Sequence, residues 1–545
     1  MPSLDQLVAA ALAESAPAPF WLDQPGGPDP GPPLTGLATA DLAIVGAGFT
    51  GLWAAIQAKE DDPSADVVVL DSGRVGIGAS GRNGGFVSAS LTHGLANGLT
   101  HFPDEIHQLL TLGQQNFDGL FADLDRFGID AHAEHTGELT FATAPWQVPD
   151  LADASELSAR FGERAELLDA DAARVAVHSP TYHGAVRVHD GVALVDPARL
   201  VWGLLATAES FGVRIYEHTP VLGLDRERSP AGEAMVIRAP HTTVRARQVV
   251  LATNAFPGLV PAIRARVVPV WDYVLMTEPL SPAQLDSIGW QGRQGLADAA
   301  NQFHYYRRTA DDRILWGGYD AVYYRGNGIG AELAQRSETH HLLARQFFET
   351  FPQLEGLQFT HRWGGPIATT TRFTLTAGTA HRGRVAYAVG YTGLGVGASR
   401  FGARVALDLL SGQPTERTRL RFVQRKPLPF PPEPIRSIGI NLTRRAIASS
   451  DRHEGRRGPQ PTPETALAVF LAEHAQPDSL PTDGYVADPN AVESIPPRSL
   501  APEPSPTQVA NLTSVHRSGG RVDVVVSIGP ANPGWLVQTV IACAS

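Results

Sequence analysis

The stretch DLAIVGAGFTGL, Asp41 to Leu52, decides the fold. Asp41 to Val45 reads as a short β run. Gly46, Gly48 and Gly51 then form a G-x-G-x-x-G turn, Leu52 to Lys59 carries helical periodicity, and Val67 to Leu70 is a second β run. Each glycine answers a separate steric demand. Gly46 permits the tight turn, Gly48 lets backbone approach a pyrophosphate, and Gly51 lets helix and strand pack closely. The helix N-terminus then faces the anion. Asp71 follows the second strand, where a carboxylate can accept hydrogen bonds from a ribose.

Outward from this unit, residues 17–37 hold enough Pro and Gly to exclude helix and ladder, so 1–37 is expected to be an irregular N-terminal segment. The β-α-β pattern returns later, and the expected dinucleotide domain is 38–96, 195–260 and 381–412. Residues 97–194 and 261–380 mix helices and strands and read as a second, α+β domain. Residues 413–458 read as a C-terminal wrap. The Pro-rich span 459–545 reads as a disordered tail, with a shifted frame or a fused remnant as the alternative. The fold class is α/β: a doubly wound dinucleotide domain interleaved with a substrate domain on a mostly antiparallel sheet.

Composition narrows the partners. The 545 residues carry 43% hydrophobic residues and a net charge of −12 without a basic stripe, which points to a small-molecule partner rather than nucleic acid. Cys543 is the single cysteine, so a cytoplasmic location is expected and no thiolate metal cluster can form. The N-terminal run, with Asp5 and Glu14, reads as an amphipathic turn rather than a leader, and no apolar run reaches membrane-spanning length. Lys59 and Lys426 are the only lysines, and the histidines show no metal-binding spacing, so no metal is expected.

NAD and FAD folds share the glycine turn, and VGIGASGRNGGF, Val75 to Phe86, chooses between them. Its glycines interleave with Ser80, Arg82 and Asn83, and with Gly84 they make a donor-rich loop suited to a pyrophosphate and a flavin edge. With this loop, the segments FWLD, GAGFTGL, VDPARL, VVLATNAF, YYRRTADDRILWGG, HRWGGPIA and GYTGLGVGASRFG give a chain that resembles the D-amino-acid oxidase (DAO) superfamily, and within it the γ-glutamylputrescine oxidase branch. The resemblance covers about residues 19–445. It implies FAD, with Val221 at the adenine and Gly393, Gly395 and Val396 over the flavin's pyrimidine edge. It also implies non-covalent attachment, because no cysteine lies near Tyr391 and Arg82 stands where an attaching histidine would be.

The implied activity is FAD-dependent oxidation of a small amine at its C–N bond, giving an imine that hydrolyses to an aldehyde, with oxygen or another carrier as electron acceptor. Amino-acid oxidases of the superfamily clamp the substrate carboxylate with an arginine, and here Gly365 to Ile367 take that place, leaving Arg307, Arg372 and Tyr306 as replacements. Trp363, Tyr391, Tyr305, Tyr306 and Trp271 are candidate pocket walls. The catalytic candidates are thus Tyr306, Arg307, Trp363, Arg372 and Tyr391. Two alternatives stay open: a D-amino-acid or sarcosine-type oxidoreductase, and a non-catalytic FAD-holding subunit. Sarcosine-type oxidases activate oxygen with a lysine near the flavin, and neither lysine here is suitably placed in sequence.

Overall fold

The computed structural model describes residues 3–229, 232–256 and 258–453, with the backbone of four further strands between 492 and 541. The chain divides into two units, Met1–Phe430 and Pro431–Ser545.

The first unit holds two eight-stranded sheets. In one, Val385–Val389, Thr242–Leu251, Gly36–Val45, Val67–Leu70 and Arg214–Tyr216 lie side by side and parallel. Thr376–Ala380 closes one edge antiparallel, and the hairpin of Gly223–Ser229 and Gly232–Ala239 extends from Thr242–Leu251. Strand residues alternate between faces. Ile44, Val67, Val69 and Val250 therefore bury against helices Phe49–Asp61, Pro197–Ser210 and Gly395–Ser411, whereas Ala43, Val45, Val68 and Leu251 bury with Leu224, Met235 and Ile237 of the hairpin. Burial on both faces explains why these strands read as unbroken apolar runs.

The second sheet runs Phe359–Thr369, Val268–Thr277, Ile314–Val322, His304–Arg308, Gly295–Asp298, Glu138–Ala142, Gly184–Val188, Ala165–Leu168. Its pairings are antiparallel except that of Gly295–Asp298 with Glu138–Ala142. One face, with Trp271, Tyr273, Leu275, Tyr306 and Trp316, packs on Leu343, Ala344 and Phe347 of helix Ser337–Thr350. From the other face Val274, Met276, Leu315 and Trp363 meet Phe20 and Trp21.

The structure departs from the expected boundaries in three places. Residues 1–37 are not irregular throughout: Leu4–Leu12 is a helix with a Ser3–Gln6 capping box, and it buries Val8, Ala11 and Leu12 in the second sheet's core. The chain then bonds to that sheet, with Ala16 N–H donating to the Thr360 carbonyl at 2.8 Å, and Phe20–Asp23 forms a 3-10 turn. Helix Ile106–Phe127, expected in the substrate domain, buries Leu109, Leu112, Phe117, Leu120 and Leu124 in the dinucleotide core. Thr376–Ala380 belongs to the parallel sheet rather than to the substrate sheet.

The wrap forms short helices Glu416–Arg419 and Arg421–Gln424, and a longer one over Ile435–His453. Within 459–545, expected to lack regular structure, Val492–Glu493, Val509–Val515, Arg521–Ile528 and Trp535–Ile541 form an antiparallel sheet. The rest of that span lies outside the described residues. Among the described residues no helix is long and apolar enough to cross a membrane.

Candidate active site

The glycine turn is sterically closed to any larger residue. Gly46 has φ +107°, and a Cβ there would stand 2.7 Å from the Ala252 carbonyl oxygen; a Cβ on Gly51 would stand 1.8 Å from the Gly46 carbonyl oxygen. At Gly48 a Cβ would come within 2.7 Å of Ser80 Oγ, which accepts the Phe49 N–H at 2.9 Å. Gly48, the N-cap, has no side chain to cap the helix that begins there, so apart from the Phe49 N–H held by Ser80 its positive end is left for an anion. Asp71 Oδ2 accepts the Ala47 N–H at 2.7 Å and Oδ1 the Gly73 N–H at 2.9 Å, which fixes the carboxylate while leaving each oxygen a lone pair for a ribose hydroxyl. Burial raises its pKa although the residue keeps accessible surface. These residues fit the diphosphate and ribose of a dinucleotide.

Two indoles hold the second loop. Trp21 Nε1–H donates to the Asn83 carbonyl at 2.8 Å, and Trp363 Nε1–H donates to the Arg82 carbonyl at 2.9 Å. Asn83 ties the loop internally, donating to the Ala79 and Ser80 carbonyls and accepting the Gly85 N–H. Arg82 donates to the carbonyls of Ile77 at 2.7 Å and Gly364 at 3.0 Å, and its side chain lies over Gly365. Gly84 lies against the ring of Tyr305, so the loop rests on the second sheet. Behind it, Arg307 donates to the Val195 carbonyl at 2.6 Å, while Val195 N–H donates to the Gly85 carbonyl at 2.8 Å.

A third element arrives from the C-terminal half. Gly393 (φ +90°) and Gly395 lead into helix Gly395–Ser411, again without a side-chain cap, and Val396 buries in the dinucleotide core. Thr392 N–H donates to the Ala368 carbonyl at 2.9 Å, which ties this turn to the second sheet. Val221 lies between strands, at the edge of the core shared with Val68 and Leu70. It is near Asp71 through Thr219, whose N–H donates to the Asp71 carbonyl at 2.7 Å.

The catalytic candidates scatter. Tyr306 points to the far face of the second sheet, where its hydroxyl bonds that of Tyr182 at 2.6 Å amid Trp290 and Trp316; a one-residue step along the strand separates it from Tyr305, which does face the loop. Arg372 is engaged with the carbonyls of Arg425, Leu375 and Phe422, and Trp271 with that of Gly328. Tyr391 lies in the dinucleotide core, its hydroxyl 2.9 Å from Thr50 Oγ1. Arg307 is 2% exposed and bonded to the carbonyls of Val195 and Arg308, and burial pulls its pKa down to about 10. It therefore supports the loop rather than standing free to clamp a carboxylate, and Trp363 does the same through its indole. Sequence reasoning missed Asp272: Tyr305 Oη donates to its Oδ2 at 2.5 Å, and burial lifts the carboxyl to about 6. The strand alternation around VWDYV was the signal that could have found it.

This geometry, a helix start over a glycine turn with a second sheet closing against the Ser80–Gly84 loop, fits a dinucleotide-dependent oxidoreductase. Residues 41–409 match the DAO family, described as FAD dependent oxidoreductase. The chain belongs to that family, so it is an FAD-dependent enzyme, and the alternative of a non-catalytic FAD-holding subunit falls away. A probable oxidoreductase OrdL of Haemophilus influenzae is 27% identical over 393 residues, 70% of this chain and 85% of that one. The gamma-glutamylputrescine oxidoreductase of Escherichia coli is 31% identical over 380 residues, 69% of this chain and 84% of its own. Glycine oxidase from Geobacillus kaustophilus shares the fold, with a TM-score of 0.59 at 20% identity over 71% of this chain and 98% of its own.

Proposed function

We propose that this enzyme oxidises a small amine whose reacting carbon carries no carboxylate, with γ-glutamylputrescine or a related polyamine derivative as the leading substrate class. One observation carries the reading: the two arginines that the sequence offers in place of the missing clamp, Arg307 and Arg372, are both committed to backbone carbonyls. A buried carboxylate without a paired cation costs several kcal/mol, so an α-amino acid would enter at a penalty. The name of the Escherichia coli relative supports the same class.

The Gly46–Gly48 turn, Asp71, the Ser80–Gly84 loop and the start of helix Gly395–Ser411 would hold FAD non-covalently. FAD, when bound, accepts a hydride from the C–H bond beside the nitrogen. The chain's own part is to orient that bond and keep water out. The substrate imine then hydrolyses to aldehyde and ammonia. A second reading, an amino-acid or sarcosine-type oxidoreductase, draws on Arg82, a half-buried guanidinium beside Gly365.

Steady-state rates for γ-glutamylputrescine, putrescine, sarcosine and D-alanine test the proposal, together with anaerobic bleaching of the flavin's visible band. The first two are expected to give the higher kcat/KM. A maximum with D-alanine or sarcosine would overturn the missing-clamp argument and make Arg82 the residue to mutate.

A further inference from the structure

Strand Val268–Thr277 turns Asp272 toward the face that carries Tyr305 and Trp363, opposite its aromatic neighbours Trp271 and Tyr273. Its carboxylate is held from three directions: by Tyr305 Oη at 2.5 Å, by the Tyr273 N–H at 2.9 Å and by the Gly318 backbone. Among the described residues it makes no ion pair with arginine, lysine or histidine. Glycines surround it. Gly365 is its cross-strand partner, a Cβ on Gly317 would meet Tyr305 Oη at 2.8 Å, and Gly84 of the cofactor loop lies against the same ring.

The missing side chains let the Tyr305 ring pack closely on Gly84 and Gly317, and the Arg82 side chain on Gly365, beside the carboxylate. Asp272 and Tyr305 each retain accessible surface, although burial raises both their pKa values, that of Asp272 to about 6. Two other charged or titratable groups lie near. His304, on the opposite face, is bonded to Asp298 and Gln346, and Arg82, over Gly365, is bonded to the carbonyls of Ile77 and Gly364.

We propose that Asp272, positioned by Tyr305, is the anionic seat for the substrate's ammonium group, beside the cofactor loop at Gly84. The inference rests on the amine reading above and names the residue that selects for it. An enclosed carboxylate attracts a cation far more strongly than one in water. Tyr305 keeps it from turning away. The seat is occupied by charge above about pH 6 and neutral below it, so amine affinity falls on the acid side.

Asp272→Asn, Asp272→Glu and Tyr305→Phe test the seat, each purified with its flavin and assayed with γ-glutamylputrescine and putrescine. Asp272→Asn is expected to raise KM on the order of 100-fold with a smaller fall in kcat, and to remove the acid limb near pH 6 from kcat/KM. Asp272→Glu recovers part of the affinity. An unchanged KM and pH profile in Asp272→Asn would overturn the proposal. So would loss of the flavin spectrum from both Asp272 variants, which would assign the carboxyl to the cofactor. Should the wild type prefer sarcosine or D-alanine, the substrate reading fails by itself, and the ratio of wild-type to Asp272→Asn KM on those amines still decides the seat.

Discussion

Glu138 opens its strand on the same sheet as Asp272 and shares its condition: burial alone raises its carboxyl to about 7. The sign of the effect follows from the shift. A carboxyl whose pKa is higher in the folded state than in the unfolded one contributes stability below the unfolded value, near 4.5, and that contribution is lost as pH rises toward 7. Glu138→Gln should therefore raise Tm at pH 8 and leave it nearly unchanged at pH 4, with a gain of up to about 3 kcal/mol. Equal Tm values for variant and wild type at pH 8 would show that the carboxyl is solvated or paired. At the glycine turn the expectation is loss rather than gain. Gly48→Val places a branched side chain against Ser80 Oγ, and the purified variant should carry no flavin absorbance.

At the scale of elements, the loop Gly78–Gly85 depends on partners from distant parts of the chain, Trp21 and Trp363. Trp363→Phe keeps the ring but strands the Arg82 carbonyl, at a cost of about 1–2 kcal/mol. Flavin affinity measured by titration of the apoprotein should fall about tenfold, and an unchanged affinity would mean the loop holds its shape unaided. The dinucleotide element was legible in sequence because its demands are local: each glycine answers to atoms within a few residues or on the adjoining strand. The catalytic side was not. Tyr305 and Tyr306 are adjacent and chemically alike, and only the pairing register, Tyr305 with Gly317 and Tyr306 with Trp316, decides which meets the cofactor loop. Arg307 and Arg372 looked like clamps because a sequence does not show which backbone carbonyls lack a donor. The Leu4–Leu12 helix was hidden by the Pro-rich stretch that follows it, although Ser3 and Gln6 already spelled its cap.

Across the whole molecule, the elements that build the cofactor turn, the loop and both sheets fall within Met1–Phe430. A chain ended at Phe430 should keep its flavin-to-protein ratio, and loss of flavin would give residues beyond it a part in the site. The two lysines set the last expectation, the choice of electron acceptor. Lys59 Nζ donates to the carbonyls of Pro63 and Ala65, and Lys426 Nζ to those of Ala377 and Val423. Neither borders Gly84, Tyr305 or Asp272, so no ammonium is available there to stabilise negative charge developing on oxygen. The cations that do approach the loop, Arg82 and Arg307, are engaged with carbonyl oxygens and desolvated, which lowers both their pKa values. Reduced enzyme should therefore pass electrons to an artificial dye faster than to oxygen at matched substrate. Peroxide release outpacing dye reduction would contradict this, and a loss of that release in Arg82→Met would then place the oxygen-activating charge on the loop.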